Sequence, residues 1–79
     1  MLTAEQLRAA RALIRWEQST LAEKAGVSVE TIKRLERMDG PLMSTKMATI
    51  YALQSAFRAA GVAFTNGGEP GVKLTRKSE

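Results

Sequence analysis

Seventy-nine residues, 44% of them hydrophobic and only two of them proline, are expected to fold as one globular domain with a modest core and no room for a separate effector domain. The absence of cysteine and histidine excludes disulfides and thiolate metal sites and removes the commonest metal ligand and general base, so no metal, cofactor or catalytic residue is expected. Twelve Lys and Arg against eight Asp and Glu leave a net charge of +4, which suits a polyanionic partner, and no apolar run has the length of a bilayer span or a signal-peptide core, so a cytoplasmic protein is expected.

In chain order, the first helix has two start signals. Thr3 and Gln6 are spaced as a capping box, and Leu2 and Leu7 hold the positions of a hydrophobic staple, which together place the first turn at Ala4. The helix is expected to run to about Arg15, with Leu7, Ala10, Leu13 and Ile14 as its apolar stripe and Arg8, Arg11 and Arg15 around the edge. Trp16 and Glu17 make a corner. In a small domain a tryptophan between two helices seals the core edge; its other use, as a stacking platform for a base, is the weaker reading. Glutamate is a poor cap, which leaves the start of the second helix less sharply defined.

From Gln18 the second helix repeats Leu21, Ala22 and Ala25 on one face, and Gly26 ends it by entering the left-handed conformation. Val27 can plug the angle that follows, and Ser28 can cap a third helix. In that helix Ile32 and Leu35 face inward, leaving Val29, Glu30, Lys33, Arg34 and Arg37 outside. Met38 to Met43 read as a loop around Gly40 and Pro41. A fourth helix, capped by Ser44 or Thr45, buries Met47, Ile50, Leu53 and Phe57, is flanked by Tyr51 and stops at Gly61. Met38, Met43 and Met47 are expected to fill core in preference to forming a soft-metal site or an adaptable surface.

At Val62 the period changes to two. Val62 to Thr65 and Val72 to Thr75, separated by residues 66–71, read as a hairpin with Val62, Phe64, Val72 and Leu74 on one face. Two strands alone are marginal in water, so that face must lie on the helices or on another subunit. The organisation expected is residues 1–61 as the helical domain, 62–75 as the hairpin and 76–79 as a frayed tail, with a phosphate or minor-groove arm as the tail's other reading.

The pattern Gln18-x-x-x-Ala22-x-x-x-Gly26, followed by Ile32, Leu35 and Glu36, resembles the helix-turn-helix of the lambda-repressor/Cro-like family, also called the XRE family. The physical needs agree: a small residue where the helices cross, a glycine in the turn, and two apolar residues that lock the second helix in a protruding pose. Two amphipathic helices of an ordinary bundle would satisfy the periodicity alone. Gly61 to Leu74 also resembles the C-terminal segment of a subset of small regulators in that family.

The resemblance implies a mainly α fold, a lambda-repressor-like bundle of four helices with a helix-turn-helix, plus a short C-terminal β-hairpin. It implies a structural ion pair between Arg11 and Glu36, a solvated or phosphate-contacting Arg11 being the other reading. It implies a sequence-specific double-stranded DNA-binding transcriptional regulator of bacterial or phage nucleoids, most simply a repressor that binds an inverted repeat as a homodimer. Within it, Gln18 and Ser28 would meet phosphates, Val29 a thymine methyl, Glu30 a cytosine amino group, and Lys33 or Arg34 guanine, with Thr31 and Arg37 as lesser contacts and Lys46 on a flanking phosphate. Val29 stands where similar proteins often have arginine. Val62, Phe64, Val72 and Leu74 are the candidate dimer contact, packing within the monomer being the other reading. The alternative function is an antitoxin or adaptor module on the same fold, working through a protein partner.

Overall fold

The first helix, α1 (Ala4–Leu13), begins where its capping box places it in the computed structural model, which describes residues 2–66 and 68–75. The Thr3 hydroxyl accepts from the Gln6 N–H at 3.0 Å and the Gln6 side chain accepts from the Thr3 N–H at 3.0 Å, while Leu2 and Leu7 are both buried in the core. The helix stops about two residues earlier than expected. Arg15 takes the left-handed conformation, φ 59°, and the Arg15 and Trp16 N–H groups return to the Ala12 and Arg11 carbonyls at 3.2 and 3.0 Å. This is a Schellman closure with arginine in the position usually held by glycine. Arg15→Gly is therefore expected to raise stability by up to about 1 kcal/mol, measured by denaturant unfolding, because an L side chain is strained there.

Leu13 does not join the buried stripe. At about 100° per residue it falls on the flank of the face made by Ala4, Leu7 and Ala10, and it is 40% exposed.

The next two helices, α2 (Gln18–Ala25) and α3 (Val29–Glu36), are joined by Gly26, Val27 and Ser28. Gly26 has φ 71°, the Val27 N–H closes on the Ala22 carbonyl at 3.0 Å, and Ser28 Oγ accepts from the Thr31 N–H at 3.1 Å. Leu21, Ile32 and Leu35 are fully buried and Val27 packs against them at the core's edge.

After α3 the chain returns to the N-terminus. Gly40 accepts from the Ala4 N–H at 2.9 Å and Leu42 donates to the Leu2 carbonyl at 3.0 Å, setting Pro41 opposite Thr3 in an antiparallel bridge and burying Leu42. The fourth helix, α4 (Met47–Ala59), starts later than expected, because Ser44 and Thr45 belong to a turn in which the Thr45 N–H reaches the Leu42 carbonyl at 3.2 Å. Lys46 holds the N-cap position without a side-chain cap. The buried face is Ile50, Leu53, Ala56 and Phe57. Met43 and Met47 are 77% and 62% exposed, so core filling holds for Met38 alone, which packs against the core. The reason is angular: Met47 and Tyr51 lie about 40° apart on the helix, off the side of the stripe.

Phe57 is the centre of the aromatic packing. Trp16 stacks on it at 5.6 Å and Phe64 meets it edge-on at 5.8 Å, so Trp16 seals the core edge. The strands β1 (Val62–Thr65) and β2 (Gly71–Leu74) pair antiparallel, Val62 opposite Leu74 and Phe64 opposite Val72, with β1 against α4 and β2 against α1. Gly61, φ 93°, turns α4 into β1, and its carbonyl accepts from both the Thr75 N–H and the Thr75 hydroxyl.

The hairpin is clamped from α1 by Gln6. Its amide nitrogen donates to the Thr65 and Gly71 carbonyls at 2.8 and 3.0 Å, while its oxygen serves the capping box, and the side chain is buried. Gln6→Leu removes three hydrogen bonds and leaves two hairpin carbonyls without their clamp, so a loss of about 2 kcal/mol is expected in thermal or denaturant unfolding. The tail read at residues 76–79 lies outside the described residues.

Candidate nucleic-acid interface

Helix α3 has one face fixed and one face free. Ile32 and Leu35 anchor it in the core, and its C-terminal end is held by side chains of α1 and α2. Arg11 grips the buried Glu36 carboxylate with two parallel bonds, Nε to Oε2 at 2.6 Å and Nη2 to Oε1 at 2.9 Å, and its Nη1 reaches the Trp16 carbonyl at 2.8 Å. Gln18 Nε2 adds a third donor to Glu36 at 3.0 Å. Arg8 donates to the main-chain carbonyls of Glu36 and Met38, satisfying acceptors that every helix C-terminus leaves open.

The electrostatics follow from this geometry. Burial alone would raise the Glu36 pKa, but hydrogen bonds from Arg11 and Gln18 and the charges of Arg11 and Arg8 outweigh it and hold the carboxyl below its ordinary range. The hydrogen bond to Glu36 in turn raises Arg11. Three helices thus meet on one buried carboxylate, which fixes the pose of α3 relative to the start of α2.

On the free face Glu30, Lys33, Arg34 and Arg37 are exposed, as is Ser28 at the helix start. Thr31 is half-buried, its hydroxyl 2.9 Å from Ser28 Oγ. Lys33 and Glu30 approach to 3.9 Å across exposed side chains, a pair worth little and easily opened for another partner. Lys46 is exposed at the start of α4.

Two of the residues expected to contact DNA also have partners within the fold. Val29 is half-buried and packs on the core edge, because the first turn of α3 sits close over the rest of the bundle; only part of its surface faces out. Gln18 directs one amide N–H to Glu36, so its side chain braces the buried cluster and has its second N–H left for a phosphate. The backbone at that helix end is free as well. Neither α2 nor α4 has a side-chain cap hydrogen bond or an acidic residue in its first turn, but α2 opens on the Glu17 carboxylate, so the α4 end, opened by Lys46, is the one of the two without an acidic neighbour.

The hairpin face is also assigned differently from the dimer reading. Val62 is buried and Phe64 and Val72 pack against the molecule's own core, because the strand pair lies across α1 and α4; Leu74 alone stands out, 57% exposed. Arg8 and Gln6 are the residues the sequence reading undervalued. Gln6 was visible as half of a capping box, but nothing in local spacing announces bonds to residues 59 and 65 positions away.

An open groove beside the N-terminus of α1 is lined by Thr3, Glu5, Gln6, Ala9, Pro41 and Pro70. Its carboxylate, Glu5, already accepts from the Gly40 N–H at 3.0 Å. No helix among the described residues is long and apolar enough to cross a membrane.

No family model and no curated protein sequence matches the chain.

Proposed function

We propose that this chain is a sequence-specific double-stranded DNA-binding regulator of transcription with a lambda-repressor-like helix-turn-helix, most simply a repressor that occludes a promoter. The observation that carries the reading is the division of α3. A short helix whose inner side is locked by Ile32, Leu35 and the Arg11–Glu36–Gln18 cluster presents Glu30, Lys33, Arg34 and Arg37 outward together. A rigid helix with a polar, net basic outer face suits the major groove, where Lys33 or Arg34 can reach guanine O6 and N7 and Glu30 can accept from a cytosine amino group.

Phosphates would be held by Ser28 and Lys46 and by the free backbone N–H groups that open α4, whose uncapped end attracts anions, while those of α2 contribute less beside the Glu17 carboxylate. Thr31, Arg37 and the outward part of Val29 would complete the contact. One such module reads few base pairs, so a homodimer on an inverted repeat, with half-sites about 34 Å apart, is part of the proposal.

Binding to duplex DNA across a salt series tests the electrostatic half of this reading. The logarithm of the affinity is expected to fall linearly with the logarithm of salt, by roughly 0.9 per phosphate neutralised. Affinity that does not change with salt would contradict it.

The other reading, an antitoxin or adaptor that covers a protein partner, is favoured by one feature: Met43, Met47 and Tyr51 are exposed. A stoichiometric protein partner, together with function indifferent to Lys33 and Arg34, would support it.

A further inference from the structure

Five large hydrophobic side chains are exposed among the described residues: Leu13, Met43, Met47, Tyr51 and Leu74. Three of them recur every four residues, Met43 in the turn before α4 and Met47 and Tyr51 on its first two turns, at 77%, 62% and 66% exposure. Met47 and Tyr51 therefore stand on one side of the helix, and Met43 continues their line in sequence. Methionine adapts to irregular partners and tyrosine is enriched among the residues that dominate interfaces.

We propose that this stripe is the contact through which two copies of the chain associate, with Met47 and Tyr51 packing across a two-fold axis. Two observations select a second copy as the occupant. First, from Gly40 to Gly68 the chain has no Asp or Glu and only Lys46 and Arg58 as charges, so the stripe's own stretch has little with which to attract a charged partner and brings few like charges together when it meets itself. Second, the area fits. A tyrosine and two methionines this exposed offer on the order of 400 Å² per copy, about half of a standard interface, which suits a weak self-association that DNA would complete. The inference rests on the DNA reading only for that last step; the contact itself needs no DNA.

The apolar hairpin face offers less surface for this contact, because Val62 is buried, Phe64 and Val72 are partly packed within the monomer and Leu74 is the member of that face that stands out. Lys46, the proposed phosphate contact, lies in sequence between Met43 and Met47, so the two-fold axis would pass close to the bound duplex.

The test is sedimentation equilibrium of the full chain without DNA, from micromolar to about millimolar, for the wild type, Met47→Glu, Tyr51→Glu and, as a control at the other exposed site, Leu74→Lys. The expected result is a reversible dimer whose dissociation constant rises at least tenfold in Met47→Glu and Tyr51→Glu and is unchanged in Leu74→Lys. An acidic residue suits the first turn of a helix, so unchanged thermal melting of Met47→Glu separates lost association from lost fold. A wild type that stays monomeric throughout overturns the proposal, as does a dimer indifferent to Met47 and Tyr51 or one broken by Leu74→Lys. Wild-type binding of duplex DNA is measured separately: a dimer that fails to bind DNA sinks the DNA reading and leaves this contact standing, and a DNA-binding monomer sinks this contact and the homodimer part of the proposed function while leaving DNA binding standing.

Discussion

Glu36→Ala is expected to cost about 3 kcal/mol, lowering the melting temperature by more than about 10 °C in a domain of this size. The substitution removes the acceptor of three side-chain hydrogen bonds, two from Arg11 and one from Gln18, and leaves the Arg11 guanidinium mostly buried without its counter-charge. The lower end of the usual range for a broken buried pair applies because Arg11 keeps some contact with water. Glu36→Gln keeps the shape and one acceptor and removes the charge, so it should fall between the wild type and alanine. The carboxyl is held below its unfolded pKa, so its contribution is complete at neutral pH and disappears as the pH falls through the folded value, below the ordinary carboxylate range. Stability of the wild type should accordingly decline on its acid limb more steeply than that of Glu36→Gln. Parallel acid limbs in the two proteins would show that Glu36 is not the group responsible.

Lys33→Ala combined with Arg34→Ala is expected to reduce specific DNA binding by more than a hundredfold while changing stability by less than about 1 kcal/mol. Each base contact of this kind is worth about 1 to 3 kcal/mol of discrimination, and exposed substitutions that touch no cap or buried partner change little in the fold. Among the described residues, the one side-chain ion pair or hydrogen bond that this pair gives up is the loose approach of Lys33 to Glu30. Fluorescence anisotropy on a selected site and circular-dichroism melting give the two readings. The contrast with Glu36→Ala matters most: one lesion should weaken binding in a stable protein, the other should destabilise a protein whose outward α3 residues Glu30, Lys33, Arg34 and Arg37 are all intact. A double variant that binds its site normally would remove α3 from the interface.

Much of this arrangement was legible locally. The capping box at Thr3, the left-handed glycine at Gly26, the Ser28 cap and the period-two hairpin each follow from a residue type that can do one thing at its position. The misreadings come from places where two elements compete. Met47 and Leu13 fit helical stripes by residue type, but both sit on the flank of their stripes in the first or last turn, where no neighbouring element covers them. Periodicity places Val29 outside, yet it is half-buried against the core edge, where the first turn of α3 meets the rest of the bundle. Gln18 could meet a phosphate or a carboxylate by chemistry alone, and it was the position of Glu36, set by folding across 18 residues, that gave it the carboxylate. Arg8, whose partners lie about 30 residues away, left no local trace at all.

Selection of bound sites from a random pool of duplex DNA by the purified protein decides whether α3 reads sequence. Enrichment of an inverted repeat with half-sites about one helical turn apart is expected, with an affinity for it that falls steeply with salt. A pool that shows no enrichment, at salt low enough to preserve ordinary phosphate contacts, would contradict the DNA reading and leave the outward face of α3 a solvated surface.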